Sequence, residues 1–160
     1  MELYQNRFIT KILYEYVYMF GNIDLVIIMN YITRSEYGII VGSNKCDEIL
    51  NDSLLNYINK LCIKNMSSFE GRKHASKQLL KSSSNLPILV NDELFIFPTE
   101  SVRNGSCFYI NYFSILCIKT NYDGKTKIIF IDLSEIIVDI SRFRILKQMK
   151  RVELLLSHII

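Results

Sequence analysis

Hydrophobic side chains recur every three or four residues near the start of the chain. This spacing runs from Phe8 to Phe20 and predicts an amphipathic helix over residues 5–20 that ends at Gly21. Residues 23–33 and 36–41 are rich in β-branched and aromatic side chains, so they predict two strands. The chain is therefore expected to begin with a helix followed by extended structure.

Helical spacing returns in the middle of the chain. Apolar residues predict a helix over residues 47–63, with Asp47 or Asp52 as its cap. A further helix is expected to begin at Ser67-Ser68, with Glu70 in its first turn. Its predicted buried side consists of Ala75, Leu79 and Leu80.

The next segments alternate between apolar runs and turn residues, which is typical of antiparallel strands. Asn91-Asp92 marks one turn, and Asp123-Gly124 is the strongest hairpin signal in the chain. The predicted strands cover residues 86–90, 93–97, 107–113, 115–120 and 127–133.

A C-terminal helix completes the pattern. Ser134 is its expected cap, with acids in its first turn and bases in its later turns, the order that a helix dipole favours. The fold class is therefore α+β, with an antiparallel sheet core, N-terminal and central helices, and a C-terminal amphipathic helix around one core. The expected apolar side of that last helix is Ile136, Ile140, Phe143, Leu146, Met149, Val152 and Leu156.

Charge divides the chain unevenly. Residues 1–59 carry four bases and seven acids, whereas residues 60–160 carry fifteen bases and nine acids, so the net charge of +3 combines −3 with +6. A concentration of positive charge suits a phosphate backbone or an anionic membrane surface. The apolar run at residues 25–29 is too short to span a bilayer.

Candidate chemistry is sparse. The four cysteines have no metal-binding spacing and are interpreted as reduced thiols in a cytoplasmic protein. Gly124-Lys125-Thr126 is only the tail of a phosphate-binding loop, on a predicted hairpin, and no cysteine is placed near His74. We therefore expect no enzyme activity, no catalytic residues, no metal and no cofactor.

The strongest functional signal is a cluster of bases at residues 60–81. From the residues alone, two interpretations are equally open: a phosphate-binding surface at a helix start, where free N–H groups favour anions, and a solvated charged face. The basic run of the C-terminal helix is open to the same two interpretations and to membrane-surface binding. Phe108, Tyr109, Tyr112 and Phe113 fit a stacking platform for single strands less well than a core.

An ordered set of short motifs then resembles a known family. Ser67-Ser68-Phe69-Glu70-Gly71-Arg72-Lys73 is followed by Leu86-Pro87-Ile88-Leu89-Val90, and then by Phe97-Pro98-Thr99-Glu100-Ser101 with Arg103 and Cys107. Cys62 and Asn121-Tyr122-Asp123-Gly124-Lys125-Thr126 also fit. Over residues 31–150 the chain resembles the ComK-type competence transcription factors of low-GC Gram-positive bacteria.

The resemblance implies a transcriptional activator of competence and DNA-uptake genes. Such a protein is expected to bind A/T-rich promoter sites of double-stranded DNA through the minor groove, as a homo-oligomer without a cofactor, in the cytoplasm at the nucleoid. Control by a protease adaptor and the lack of membrane association are further expectations. The expected DNA contacts are Arg72 and Lys73 of the Gly-Arg-Lys element, with Lys77, Lys81 and Arg103.

The ends of the chain depart from the family pattern. Residues 1–30 are expected to be a poorly matched N-terminal extension, with Met29 as an alternative start, and residues 31–160 a single competence-factor-like DNA-binding domain. Tyr109 stands where relatives tend to have tryptophan, and the chain ends at Ile160 where relatives carry a further tail. The alternative function is therefore a truncated or diverged paralogue that modulates a fuller activator through its C-terminal helix.

Overall fold

A computed structural model of the protein describes residues 27–159. The predicted helix over residues 5–20, its end at Gly21 and the first part of the predicted strand at residues 23–33 lie outside the described residues.

Two antiparallel sheets and three helices make up the described part of the chain. The first six strands form one sheet in the order β3-β2-β1-β6-β5-β4, and β7-β8-β9 form the other. The fold is therefore α+β with antiparallel sheets, as the sequence predicts. The strands are β1 (Met29–Ser35), β2 (Gly38–Ser43), β3 (Asp47–Leu50), β4 (Ile88–Asn91), β5 (Leu94–Pro98), β6 (Phe108–Asn111), β7 (Ile115–Thr120), β8 (Thr126–Phe130) and β9 (Glu135–Val138). The helices are α1 (Leu54–Lys64), α2 (Phe69–Leu80) and α3 (Arg142–Ile159).

The six-stranded sheet is covered on both faces. One face packs against α1 and the start of α2, and the other packs against the three-stranded sheet and α3. Strand β5 is buried along its whole length, because Leu94 and Ile96 enter the first apolar cluster while Phe95 and Phe97 enter the second. The single core expected from chain length is thus divided, within residues 27–159, into two clusters that share β5.

The helix predicted over residues 47–63 is wrong in its first part. Residues 47–50 form β3, which pairs with β2 at the edge of the six-stranded sheet, and α1 begins only after Ser53. The Ser53 hydroxyl accepts a hydrogen bond from the Asn56 N–H, so Ser53 caps the helix in place of Asp47 or Asp52. Ile49 and Leu50 keep the helical period of the residues after them by coincidence of spacing.

The predicted start of α2 is confirmed, and its predicted buried side is not. The Ser68 hydroxyl accepts a hydrogen bond from the Gly71 N–H at 3.0 Å. The buried residues of α2 are Phe69 and Ser76, whereas Ala75 and Leu79 are exposed and Leu80 is half-buried. The helix therefore presents a different side to the core from the one that its few apolar residues predict.

Ser134 does not cap the C-terminal helix. The residues after it form β9, which pairs with β8 and places Glu135 within 3.0 Å of the Lys127 ammonium group. Helix α3 begins at Arg142. Its buried stripe contains Ile145, Met149, Val152 and Leu155, while Phe143, predicted to be apolar core, is 75% exposed.

Candidate nucleic acid interface

The expected DNA contacts of α2 divide into two groups. Lys73, Lys77 and Lys81 are four residues apart, so they follow one side of the helix. Arg72 lies on the other side of the buried stripe. Lys77 and Lys81 are exposed. Lys73 lies 3.6 Å from the Glu70 carboxylate and 5.8 Å from the centre of the Phe69 ring, so its charge is partly balanced.

Arg72, in the first turn of α2, is bonded to the end of α1. Its guanidinium donates a hydrogen bond to the Asn65 carbonyl oxygen, 3.0 Å away, at the end of α1. Burial raises the pKa of the Cys62 thiol, and the nearby Arg72 charge opposes that effect. Because an N–H group of its guanidinium is bonded to the end of α1, Arg72 has a structural role in addition to any contact with a ligand.

The start of α2 offers fewer free N–H groups than a bare helix end. The Phe69 N–H donates to the Asn59 side-chain oxygen at 2.9 Å, and the Gly71 N–H is held by Ser68. A phosphate at this position would have to displace protein acceptors from both donors. The first turn of α2 is therefore less available to a phosphate than an uncapped helix start, and any attraction for anions along α2 has to come from its lysine side chains.

Helix α2 runs in the opposite direction to β4. The Asn91 side chain, at the end of β4, donates to the Asn65 side-chain oxygen at 3.4 Å, just before α2 begins. Further along, the Ser76 hydroxyl donates to the Pro87 carbonyl oxygen at 2.6 Å, just before β4 begins. Helix α2 thus carries Lys81 to the end of the sheet where β4 starts and β5 finishes.

Two polar side chains of α3 fix the backbone at this end of the sheet. The Gln148 amide donates to the carbonyl oxygens of Asn85, at 2.9 Å, and Pro98, at 2.7 Å. The Arg151 guanidinium donates to the Asn85 and Ser84 carbonyl oxygens, both at 2.9 Å, and burial lowers its pKa. These bonds tie the segment after Lys81 to the end of β5.

The connection from β5 to β6, residues 99–107, carries Arg103 at this same end. Its base is joined to β1 by the Thr33 hydroxyl, which donates to the Cys107 carbonyl oxygen at 3.0 Å. The Arg34 guanidinium donates to the Asn104 carbonyl oxygen at 3.0 Å. Arg103 itself is exposed. The structure therefore brings Lys81 and Arg103 to one end of the sheet, and places Arg72 towards the other.

Helix α3 adds bases to this end. Gln148, in its first half, reaches Pro98, whereas Glu153, in its second half, accepts from the Tyr112 hydroxyl at the opposite end of the sheet. We call the resulting surface the basic end. Its five side chains are exposed, and among the described residues none of them forms a hydrogen bond or ion pair. The basic end consists of Lys77, Lys81, Arg103, Arg144 and Lys147.

The alternatives to this surface are weaker. Tyr109 is 4% exposed, and Phe113 packs edge-on against Phe95 in the second cluster, so the aromatic side chains of β6 and the following turn contribute to the core. Across residues 27–159, no group of histidine, cysteine and acidic side chains is arranged to hold a metal ion. In the same range, no helix combines the length and apolar character needed to cross a bilayer.

An α+β fold of two antiparallel sheets, with exposed bases at one end of the larger sheet, provides a surface suited to polyanions. Residues 16–160 match the ComK protein family, and the chain belongs to that family of competence transcription factors. The matched range begins at residue 16, which lies inside the segment at residues 1–30. The family motifs of the sequence analysis all lie after that segment. No curated protein and no solved structure matches the chain.

Proposed function

We propose that this protein is a DNA-binding regulator that activates competence and DNA-uptake genes from A/T-rich promoter sites. The observation that carries the proposal is the basic end, where exposed bases of α2, of α3 and of the connection at residues 99–107 lie at the same end of the sheet without a paired acid among the described residues. Phosphates of one duplex attract such a surface through the sum of its charges. The ComK family membership supports the regulatory role.

The proposed DNA contacts are Lys73, Lys77, Lys81 and Arg103, with Arg144 and Lys147 beside them. Arg72 is proposed to act mainly by holding α2 against α1, and direct contact of Arg72 with DNA stays a prediction. Binding through the minor groove is favoured because A/T-rich grooves are narrow and their negative potential attracts basic side chains. We also propose that the protein is cytoplasmic, acts at the nucleoid as a homo-oligomer, and is subject to control by a protease adaptor.

Fluorescence anisotropy with short labelled duplexes tests the proposal. The purified protein is titrated with an A/T-rich and a G/C-rich duplex at several salt concentrations. We expect tighter binding to the A/T-rich duplex and a fall in affinity as salt rises. Equal binding to both duplexes would refute the proposed recognition, even with a steep salt dependence, because that result describes only a nonspecific basic surface.

A matched pair of variants locates the surface. Replacing Lys77 and Lys81 by alanine should weaken binding to both duplexes and lower the salt slope by about 2, since each lost phosphate contact removes about 0.9. The control replaces Lys45 and Lys119, which are exposed but lie in the turn between β2 and β3 and on β7. An equal loss in the control would exclude the basic end as the binding surface.

Duplexes that contain inosine distinguish recognition through the minor groove from recognition through the major groove. An I·C pair presents the minor-groove pattern of A·T and the major-groove pattern of G·C, because inosine lacks the 2-amino group of guanine. A duplex in which I·C replaces A·T should therefore bind nearly as tightly as the A/T-rich duplex. Loss of binding would place recognition in the major groove.

The alternative function, a modulator that pairs with a fuller activator through the C-terminal helix, has one observation in its favour. Phe143 is 75% exposed and Leu154 is 49% exposed, and their spacing of three turns puts them on one side of α3. Sedimentation of the wild-type protein and a Phe143→Asp variant tests this contact. An unchanged oligomeric state and unchanged DNA binding in the variant would exclude the helix as an interface.

The domain organisation is also proposed. Residues 31–160 are expected to fold as the DNA-binding domain, preceded by a segment that is either part of the native protein or a translated leader before Met29. Mass spectrometry of the native protein distinguishes these cases, because a peptide spanning residues 25–34 excludes a start at Met29.

A further inference from the structure

The connection at residues 99–107 is held rigidly around Arg103. The Glu100 carboxylate accepts hydrogen bonds from the Asn104 side-chain amide and from the Ser106 hydroxyl, the latter at 2.7 Å. Backbone bonds run from the Asn104 N–H to the Ser101 carbonyl oxygen, at 2.9 Å, and from the Cys107 N–H to the Asn104 carbonyl oxygen, at 3.2 Å. A connection with this many internal bonds loses little conformational entropy on binding.

The connection is also anchored to the rest of the fold. Val102, the residue before Arg103, packs against the first apolar cluster. Arg34 and Thr33 of β1 hold its backbone at Asn104 and Cys107. Arg103 is thus an exposed side chain on a short segment whose neighbours on both sides are fixed.

The surroundings of Arg103 favour close approach to a nucleic acid. Ser101, Gly105 and Ser106 are small, and a side-chain carbon added at Gly105 would meet nothing within 4 Å. Glu100 is the only acid of residues 99–107, and its two oxygens are occupied by Asn104 and Ser106. Arg103 is the only base of this segment, so it carries the single exposed positive charge there, while the one carboxylate is held by hydrogen bonds within the connection.

We infer that Arg103 is the residue that enters the minor groove and discriminates A/T from G/C pairs, while Lys77 and Lys81 contact the flanking phosphates. The inference rests on the proposed function and assigns its specificity to one side chain. A narrow A/T groove favours arginine because the guanidinium is planar and more weakly hydrated than an ammonium group. Lysines on a helix flank suit phosphates, which carry no sequence information.

The test compares Arg103→Ala with Lys81→Ala on A/T-rich and G/C-rich duplexes. Arg103→Ala should reduce the ratio of the two affinities by about tenfold, whereas Lys81→Ala should weaken both duplexes equally and leave that ratio unchanged. Arg103→Lys keeps the charge and should recover affinity for both duplexes without restoring the full ratio. Since Arg103 is exposed, urea unfolding should give all three variants wild-type stability.

A further variant tests the role of Glu100 as a positioning residue. Glu100→Ala removes a negative charge and the two hydrogen bonds that fix the connection. We expect its affinity for the G/C-rich duplex to stay the same or rise, while the ratio in favour of A/T falls. A purely electrostatic role for Glu100 would raise both affinities by the same factor.

The outcomes separate the inference from the proposed function. If the wild-type protein prefers A/T and Arg103→Ala keeps that preference, or weakens both duplexes equally, the assignment of Arg103 is overturned and the proposed function stands. If the wild-type protein shows no preference, the proposed function itself is overturned.

Discussion

The Arg151 guanidinium lies 2.9 Å from the carbonyl oxygen of Asn85, a residue that precedes it by 66 positions. The same guanidinium reaches the Ser84 carbonyl oxygen at 2.9 Å and the side-chain oxygens of Ser82 and Gln148. One base of α3 therefore satisfies acceptors of the segment that follows α2. Although it belongs to the basic run of the C-terminal helix, its charge is used inside the protein.

Replacing Arg151 by methionine should lower the free energy of unfolding by about 2 kcal/mol, because acceptors that now bind a charged donor lose it while the apolar stem is kept. Urea denaturation measures the change. Lys150→Met is the matched control, since Lys150 is exposed on the same helix and should change stability by less than about 0.5 kcal/mol. Equal stabilities for the two variants would contradict the structural role of Arg151.

Alanine variants of Arg72 and Lys77 should distinguish a residue that stabilises the fold from a residue that binds DNA. Arg72→Ala removes the hydrogen bond to Asn65 and should lower the free energy of unfolding by about 1–2 kcal/mol. Lys77→Ala should leave stability unchanged and reduce DNA affinity more than Arg72→Ala does, because Lys77 is exposed and lies at the basic end. Urea unfolding and anisotropy on the same samples give both quantities. A stable Arg72→Ala protein with the larger loss of affinity would make Arg72 the DNA contact that the family resemblance predicts.

Gly42 is expected to tolerate no side chain. It pairs with Tyr31 across β1 and β2, and a carbon added to it would lie only 2.2 Å from a carbon of the Tyr31 ring, which is itself packed against Phe108 and Phe130. Gly42→Ala should therefore destabilise the protein by about 1–3 kcal/mol, as overpacking does. Gly105→Ala is the control, and its thermal unfolding should match the wild type because the added carbon has open space. A wild-type melting temperature for Gly42→Ala would show that Tyr31 can move aside.

Tyr31 should contribute to a loss of stability at high pH. Burial and the nearby Asp47 carboxylate raise its pKa from 10.0 to about 12. The unfolded chain therefore releases this proton first, so the contribution is present below pH 10 and is lost as the pH rises from 10 to 12. Urea unfolding at several pH values should show a smaller decline for Tyr31→Phe than for the wild type. Equal declines would mean that the hydroxyl ionises alike in both states.

Local signals predicted the parts of the fold in which neighbouring residues decide the structure. The cap at Ser68, the turn after β4 and the hairpin at Asp123-Gly124 each depend on a few consecutive residues, and each is present. Strands β3 and β9 were missed because pairing with β2 and β8 outweighs their helical spacing and capping residues. A long-range partner decides the structure there, and a local pattern does not contain it.

In the candidate site, too, local signals were visible in the sequence and long-range contacts were not. Motifs and charge predicted Lys77, Lys81 and Arg103 as DNA contacts. Their placement at one end of the sheet could not be predicted, because it depends on long-range bonds such as those of Gln148, whose acceptors lie 63 and 50 residues away. The one sequence signal for Gln148 was its place beside Met149 in the apolar stripe of α3. A polar side chain at a buried helical position requires hydrogen-bond partners, and that requirement points to a structural network.

Strand β5 contributes side chains to both apolar clusters, one on each face of the six-stranded sheet. Phe95 and Phe97 belong to one cluster and Leu94 and Ile96 to the other. A one-residue slip of β5 would exchange the two sets of side chains, and a chain that ends before β5 would lack both sets. Each cluster therefore depends on β5 for two of its buried side chains. Gene fragments that end at this strand should therefore yield insoluble polypeptides, and a split version of the protein would have to divide elsewhere, for example at the exposed turn around Gly124.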